Sequence, residues 1–96
     1  FNTSHIKYYS AKVSEYLFNI SYLYELFGDR LAMMRYRRAG YQINALNQPL
    51  KMLATRKKLG FIKGINPEIE IVIKEVLFYG RSTLYTELYK ALSAKL

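Results

Sequence analysis

One histidine, no cysteine and seven scattered carboxylates are all that this 96-residue sequence offers for acid–base, nucleophilic or metal chemistry. His5 stands alone near the N-terminus. A tightly bound transition metal needs three or four converging nitrogen, sulfur or carboxylate ligands, and the acids do not converge along the chain. Glu68 and Glu75 share one helix face, but with Lys74 beside them the pattern is that of a solvated, charge-mixed surface. Neither a G-x-S-x-G elbow nor an H-E-x-x-H pair is present. Gly60-Phe61-Ile62-Lys63-Gly64 has a faint look of a phosphate cradle. It lacks the P-loop spacing and its Lys-Ser/Thr ending, and Glu68 and Glu70 would repel an anion there. We read it as a structural loop. The expectation is a protein that is not an enzyme and takes no cofactor or metal.

The informative chemistry is charge segregation. The chain carries 15 Lys and Arg against 7 Asp and Glu, a formal net charge of +8. Between Arg30 and Lys63 lie Arg30, Arg35, Arg37, Arg38, Lys51, Arg56, Lys57, Lys58 and Lys63, with no acid among them. The rest of the chain is nearly balanced, so the excess belongs to this tract. Such a tract repels itself and gains by meeting anions. Nucleic-acid phosphate is one candidate, because Arg35 to Tyr41 interleaves guanidinium groups with Tyr36 and Tyr41, which suits phosphate contact and base stacking. Anionic lipid headgroups are a second, and acidic protein subunits a third. The plain alternative is a solvated face, with Arg56, Lys57 and Lys58 simply complementing the end of a helix dipole.

The elements that position these residues read as helices. At about 100° per residue, Arg30, Arg37, Asn44, Lys51 and Lys58 line one edge of a continuous helix. Ahead of it, Ile6, Val13, Ile20 and Phe27 recur every seven residues, with Tyr9, Tyr16 and Leu23 three residues after the first three. That is an a/d seam, expected to pack along another helix and to dock protein. Gly28 should end this helix and Asp29 cap the next. Ala32, Tyr36, Ala39, Ile43, Leu46, Leu50 and Leu53 then form one apolar stripe. Gly40 weakens it by about 1 kcal/mol relative to Ala. Pro49 forces a break near 47–49, with Asn47 as the new cap and Gly60 as the end. Asn66-Pro67-Glu68 is a strong helix start, and Ile69, Val72, Ile73, Val76 and Leu77 give an amphipathic stripe. Gly80-Arg81-Ser82 turns the chain into a last helix, with Leu84, Leu88, Ala91, Leu92 and Leu96 on one side. We favour a plain αα-hairpin over a DNA-reading helix-turn-helix here, because the start of the last helix carries Thr83, Tyr85, Thr86 and Glu87 rather than cations.

Length and composition set the frame. Apolar residues make up 51% and charged residues 23%, which excludes a disordered polyelectrolyte. No uncharged apolar run reaches the roughly 18 to 20 residues that a membrane span needs. Ten Tyr and five Phe are many rings for a domain that buries only about two-thirds of its unfolded surface, so some are expected to face a partner. The chain starts at Phe1 rather than Met, and loss of an organelle transit peptide is one route to that. The expectation is an all-α single domain, or subunit fragment, over residues 1–96, with four to five helices and a C-terminal αα-hairpin. Its function would be that of a non-catalytic accessory subunit of a larger assembly, such as a mitochondrial ribosome or inner-membrane complex, held by other protein subunits. The alternative is a free-standing RNA- or DNA-binding module.

Overall fold

A computed structural model of the protein describes the backbone of residues 3–96 and the side chains of residues 8–96. The chain is all-α, with helices α1 (Thr3–Phe27), α2 (Arg30–Asn44), α3 (Leu50–Thr55), α4 (Pro67–Tyr79) and α5 (Thr83–Lys95). A single 3-10 turn, Leu59–Phe61, lies between α3 and α4.

α1 and α2 form an antiparallel hairpin. Gly28, at φ 82, takes the left-handed conformation that ends α1, and Asp29 accepts from the Ala32 amide to start α2. The α1 side of the hairpin includes Phe18, Ser21, Tyr24 and Glu25, which meet Gly40, Met33, Tyr36 and Arg37 of α2. Buried Ser21 is small enough to let the helices approach closely, and its Oγ donates to the Met33 carbonyl at 2.8 Å. Gly40 serves the same approach from α2. A Cβ there would lie 2.6 Å from Phe18 Cε1, and the helix runs through Gly40 without interruption.

The heptad seam does pack along another helix, but that helix belongs to the same chain. Val13, Ile20 and Leu23 are buried, while Tyr9, Tyr16 and Phe27 are half-buried. The expectation that these residues dock a separate protein is corrected for the buried three. Val13 and Ile20 join the chain's own core, and Tyr16 and Phe27 on the same seam meet Tyr85 and Lys95 of α5, so the buried apolar area is already removed from water within this chain. Ile6 lies outside the described side chains.

The central break takes in the expected 47–49 and begins a little before it. α2 ends at Asn44, and α3 restarts at Leu50 directly behind Pro49, which has no side-chain cap. Asn47 is therefore not the cap. Proline disfavours helical backbone at the residue before it and cannot donate, so the restart falls after Pro49. α3 also stops at Thr55 rather than Gly60. Lys57 there adopts φ 57, and the Lys58 amide reaches back to the Leu53 carbonyl at 2.8 Å. This is a Schellman closure with lysine in the position glycine usually takes.

α4 begins as expected, with Asn66 Oδ1 accepting from the Ile69 amide at 2.8 Å and Pro67 in the first turn. It ends at Gly80 in the left-handed region, and Ser82 caps α5. The core joins Val13, Leu17 and Ile20 of α1 to Tyr36, Ala39 and Ile43 of α2, Leu50 and Leu53 of α3, Leu59, Ile65, and the inner face of α4. α5 contributes no buried residue. It lies chiefly along α1, with Tyr85 edge-on to Tyr16 and the Lys95 ammonium 4.6 Å from the Phe27 ring centre.

Candidate nucleic-acid interface

The helical turn of α2 and the break at Pro49 together divide the basic tract among three places. Lys51 points back toward α1, where its ammonium donates to Tyr9 Oη at 3.2 Å and lies 4.3 Å from that ring's centre. Arg30 and Arg37 border a cleft beside the α1–α2 turn, with Glu25, Gly28 and Met33, and Arg37 pairs with Glu25 at 3.6 Å. The basic edge from Arg30 to Lys58, which holds only along one unbroken helix, is split as the break at Pro49 requires.

Arg35, Arg38, Lys58 and Lys63 line two neighbouring grooves beside the loop at Gly64. Arg35 and Arg38 project from the outer side of α2 and line a groove of about 290 Å³ with Gly64, Ile65, Asn66 and Ile69. Lys58 and Lys63 line a second groove, of about 490 Å³, with Phe61 and the carboxamides Gln42, Asn47 and Gln48. The two meet at Gly64. A Cβ there would sit 3.8 Å from both Arg38 Cγ and Gln42 Cγ, one residue from each groove. Gly64 has φ 86, which only glycine adopts at low cost. Arg56 and Lys57 are exposed just outside these grooves. Among the described residues, Arg37 alone of the nine tract cations has an ion-pair partner.

The loop is held firmly beneath this surface. Leu59 and Ile65 are buried on either side of Phe61. The amides of Phe61, Ile62 and Ile65 bond to the carbonyls of Lys58, Leu59 and Ile62. Phe61 itself is 86% exposed. The loop that the sequence presents as merely structural therefore carries an outward aromatic ring between two lysines. The signal was there: a phenylalanine outside every apolar stripe, in a glycine-bounded segment, cannot be assigned to the core by periodicity.

The two candidate stacking tyrosines separate. Tyr36 is 2% exposed and donates through its hydroxyl to Glu68 Oε1 at 3.0 Å. Burial, reinforced by this bond, pushes its pKa upward from the ordinary tyrosine value. It is a core residue, which corrects its assignment as a stacking residue. Tyr41 is 62% exposed and meets Phe18 edge-on.

A different surface lies between α4 and α5. Ile71, Val72 and Leu84 form an apolar floor, and Glu68, Glu75 and Glu87 stand around it. Glu75 accepts from the Thr83 amide at 2.9 Å and from its hydroxyl at 2.6 Å, and these bonds hold its carboxyl below the usual carboxylate range. Among the described residues no group of three or more His, Asp and Glu could hold a metal ion, and no helix is long and apolar enough to cross a membrane. Comparison with known proteins assigns no relative: no family model, no curated protein and no solved structure matches the chain.

Proposed function

We propose that this protein is a small non-catalytic accessory subunit whose basic surface around Gly64 binds the phosphate backbone of a nucleic acid. The observation that carries this reading is the meeting of two grooves at one anchored loop, with four cations that have no acidic partner of their own. Phosphates would supply the missing counter-charge. The carboxamides beside Lys58 and Lys63 add neutral donors and acceptors, which a lipid headgroup layer does not require and a nucleotide does.

Held within a larger assembly is the second half of the proposal, and the α4–α5 groove supports it. Ile71 is 62% exposed in a ring of carboxylates, a pattern that suits a basic, apolar segment of a neighbouring protein.

Salt titration tests the first half. Fluorescence anisotropy of the intact chain with labelled RNA and DNA should show log affinity falling linearly with log salt, by roughly 0.7 to 0.9 per phosphate neutralised. Four engaged cations correspond to a slope of about −3. Affinity no better than that of a scrambled peptide of equal charge refutes the proposal, as does preference for anionic vesicles over either nucleic acid.

A further inference from the structure

We infer that the groove beside Phe61 takes an unpaired base of a single-stranded nucleic acid, stacked on the Phe61 ring. This rests on the nucleic-acid reading and narrows it to a strand type and a stacking residue.

The geometry is specific to that use. A phenylalanine that is 86% exposed contributes almost nothing to the core, yet its backbone is fixed. The 3-10 turn is tied by the Phe61 amide to the Lys58 carbonyl at 3.1 Å and by the Ile62 amide to the Leu59 carbonyl at 3.1 Å. Leu59, 0% exposed, and Ile65, 7% exposed, anchor it on both sides. The ring is therefore a platform presented to solvent at small ordering cost, since its turn is already in place. Lys58 and Lys63 line the same groove as Phe61, so both cations are available to the phosphates flanking a stacked base. Gln42, Asn47 and Gln48 line the same groove of about 490 Å³, within the range of clefts that hold small ligands. Carboxamides offer both donors and acceptors and so meet the exposed edges of a base. In a duplex those faces are stacked and those edges paired, which leaves the Phe61 ring nothing to cover it. Single strands expose both, and base–aromatic stacking is a general means of binding them.

The sequence contains no tryptophan, so Phe61→Trp installs a unique reporter at the platform. Single-stranded RNA and DNA of roughly 12 nucleotides, and a duplex of the same sequence, are titrated against the wild-type chain, Phe61→Ala and Phe61→Trp. Circular dichroism confirms that each variant stays helical. Wild type should prefer the single strands. Phe61→Ala should lose about tenfold of that affinity with the salt slope unchanged, because no phosphate contact is removed. Phe61→Trp should retain affinity, with its emission quenched on binding. Single-strand affinity unaltered in Phe61→Ala, or Trp emission unaltered at saturation, overturns the inference while leaving phosphate binding intact. Absence of binding to any nucleic acid removes both.

Discussion

The Tyr36 hydroxyl and the Glu68 carboxylate meet at 3.0 Å, linking the middle of α2 to the first turn of α4. The relationship turns what looks like a stacking tyrosine into a strut. It also occupies one of the two acids at the start of α4, while Glu70 pairs with Lys74 at 3.6 Å. Glu70 nevertheless keeps its other oxygen beside the loop, 3.6 Å from where a Cβ on Gly60 would sit.

Replacing Tyr36 with Phe removes this strut and should lower stability by about 1 kcal/mol, because Glu68 is exposed and recovers water as its partner. The pH dependence has a definite sign. Burial first, then the bond to Glu68, raises the hydroxyl's pKa in the fold. The stability it contributes is therefore complete below the unfolded value near pH 10 and declines above it. Urea melts across the alkaline range should show wild type losing stability faster than Tyr36→Phe.

Lys57 holds a left-handed conformation that costs a non-glycine residue about 1 kcal/mol. Lys57→Gly should raise stability by about that amount. It also deletes one cation next to the grooves, so a variant that melts higher while binding RNA more weakly would separate folding from recognition in a single substitution.

Gly40 faces Phe18 at a distance that a methyl group cannot occupy without moving the ring. Gly40→Ala gains about 1 kcal/mol of helix propensity but overpacks the α1–α2 contact at a cost of about 1–3 kcal/mol. The expected result is a net loss. Introducing Phe18→Leu into the same chain should relieve it, giving a double variant more stable than the two single losses would add up to.

Glu75 is held ionised first by the Thr83 hydroxyl, then by the Thr83 amide, with Arg81 adding to both. Its depressed pKa means that its contribution is present above the ordinary carboxylate range and is lost as pH falls through the lower folded value. Glu75→Gln keeps one acceptor oxygen of two. It should lower stability at neutral pH by about 0.5 kcal/mol, a low figure because the pair lies at the surface. The difference from wild type should vanish in acid, where both chains carry a neutral side chain. Thermal melts at neutral and strongly acidic pH check this.

Helix ends with a local chemical cause were readable directly from residue types. Gly28-Asp29, Asn66-Pro67 and Gly80 with Ser82 all act where their sequence places them, because each satisfies orphan backbone groups within one turn. The end of α3 was not readable, since it relies on lysine in a left-handed position, and the nearest glycine, Gly60, pointed five residues too far along. Periodicity identified the α1 seam but carries no information on whether its partner is in the same chain. The division of the basic edge was legible: aligning Arg30 with Lys58 assumes one axis, and Pro49 creates two. The Gly64 surface needed tertiary structure, because the groove of Arg35 and Arg38 and the groove of Lys58 and Lys63 become neighbours only when the loop folds back against α2. Phe61 was recognisable only as a ring without a stripe to join.

Two charge-matched triple variants test the Gly64 surface most directly. One replaces Arg38, Lys58 and Lys63 with Gln; the other replaces Arg30, Arg37 and Lys51 with Gln. Both lower the net charge equally, so any effect of bulk charge is shared. If nucleic acid binds around Gly64, the first triple should flatten the log–log salt slope by about 2 to 3 and lose most of the affinity, while the second stays close to wild type. Equal losses in the two, or none in the first, would contradict a localised site.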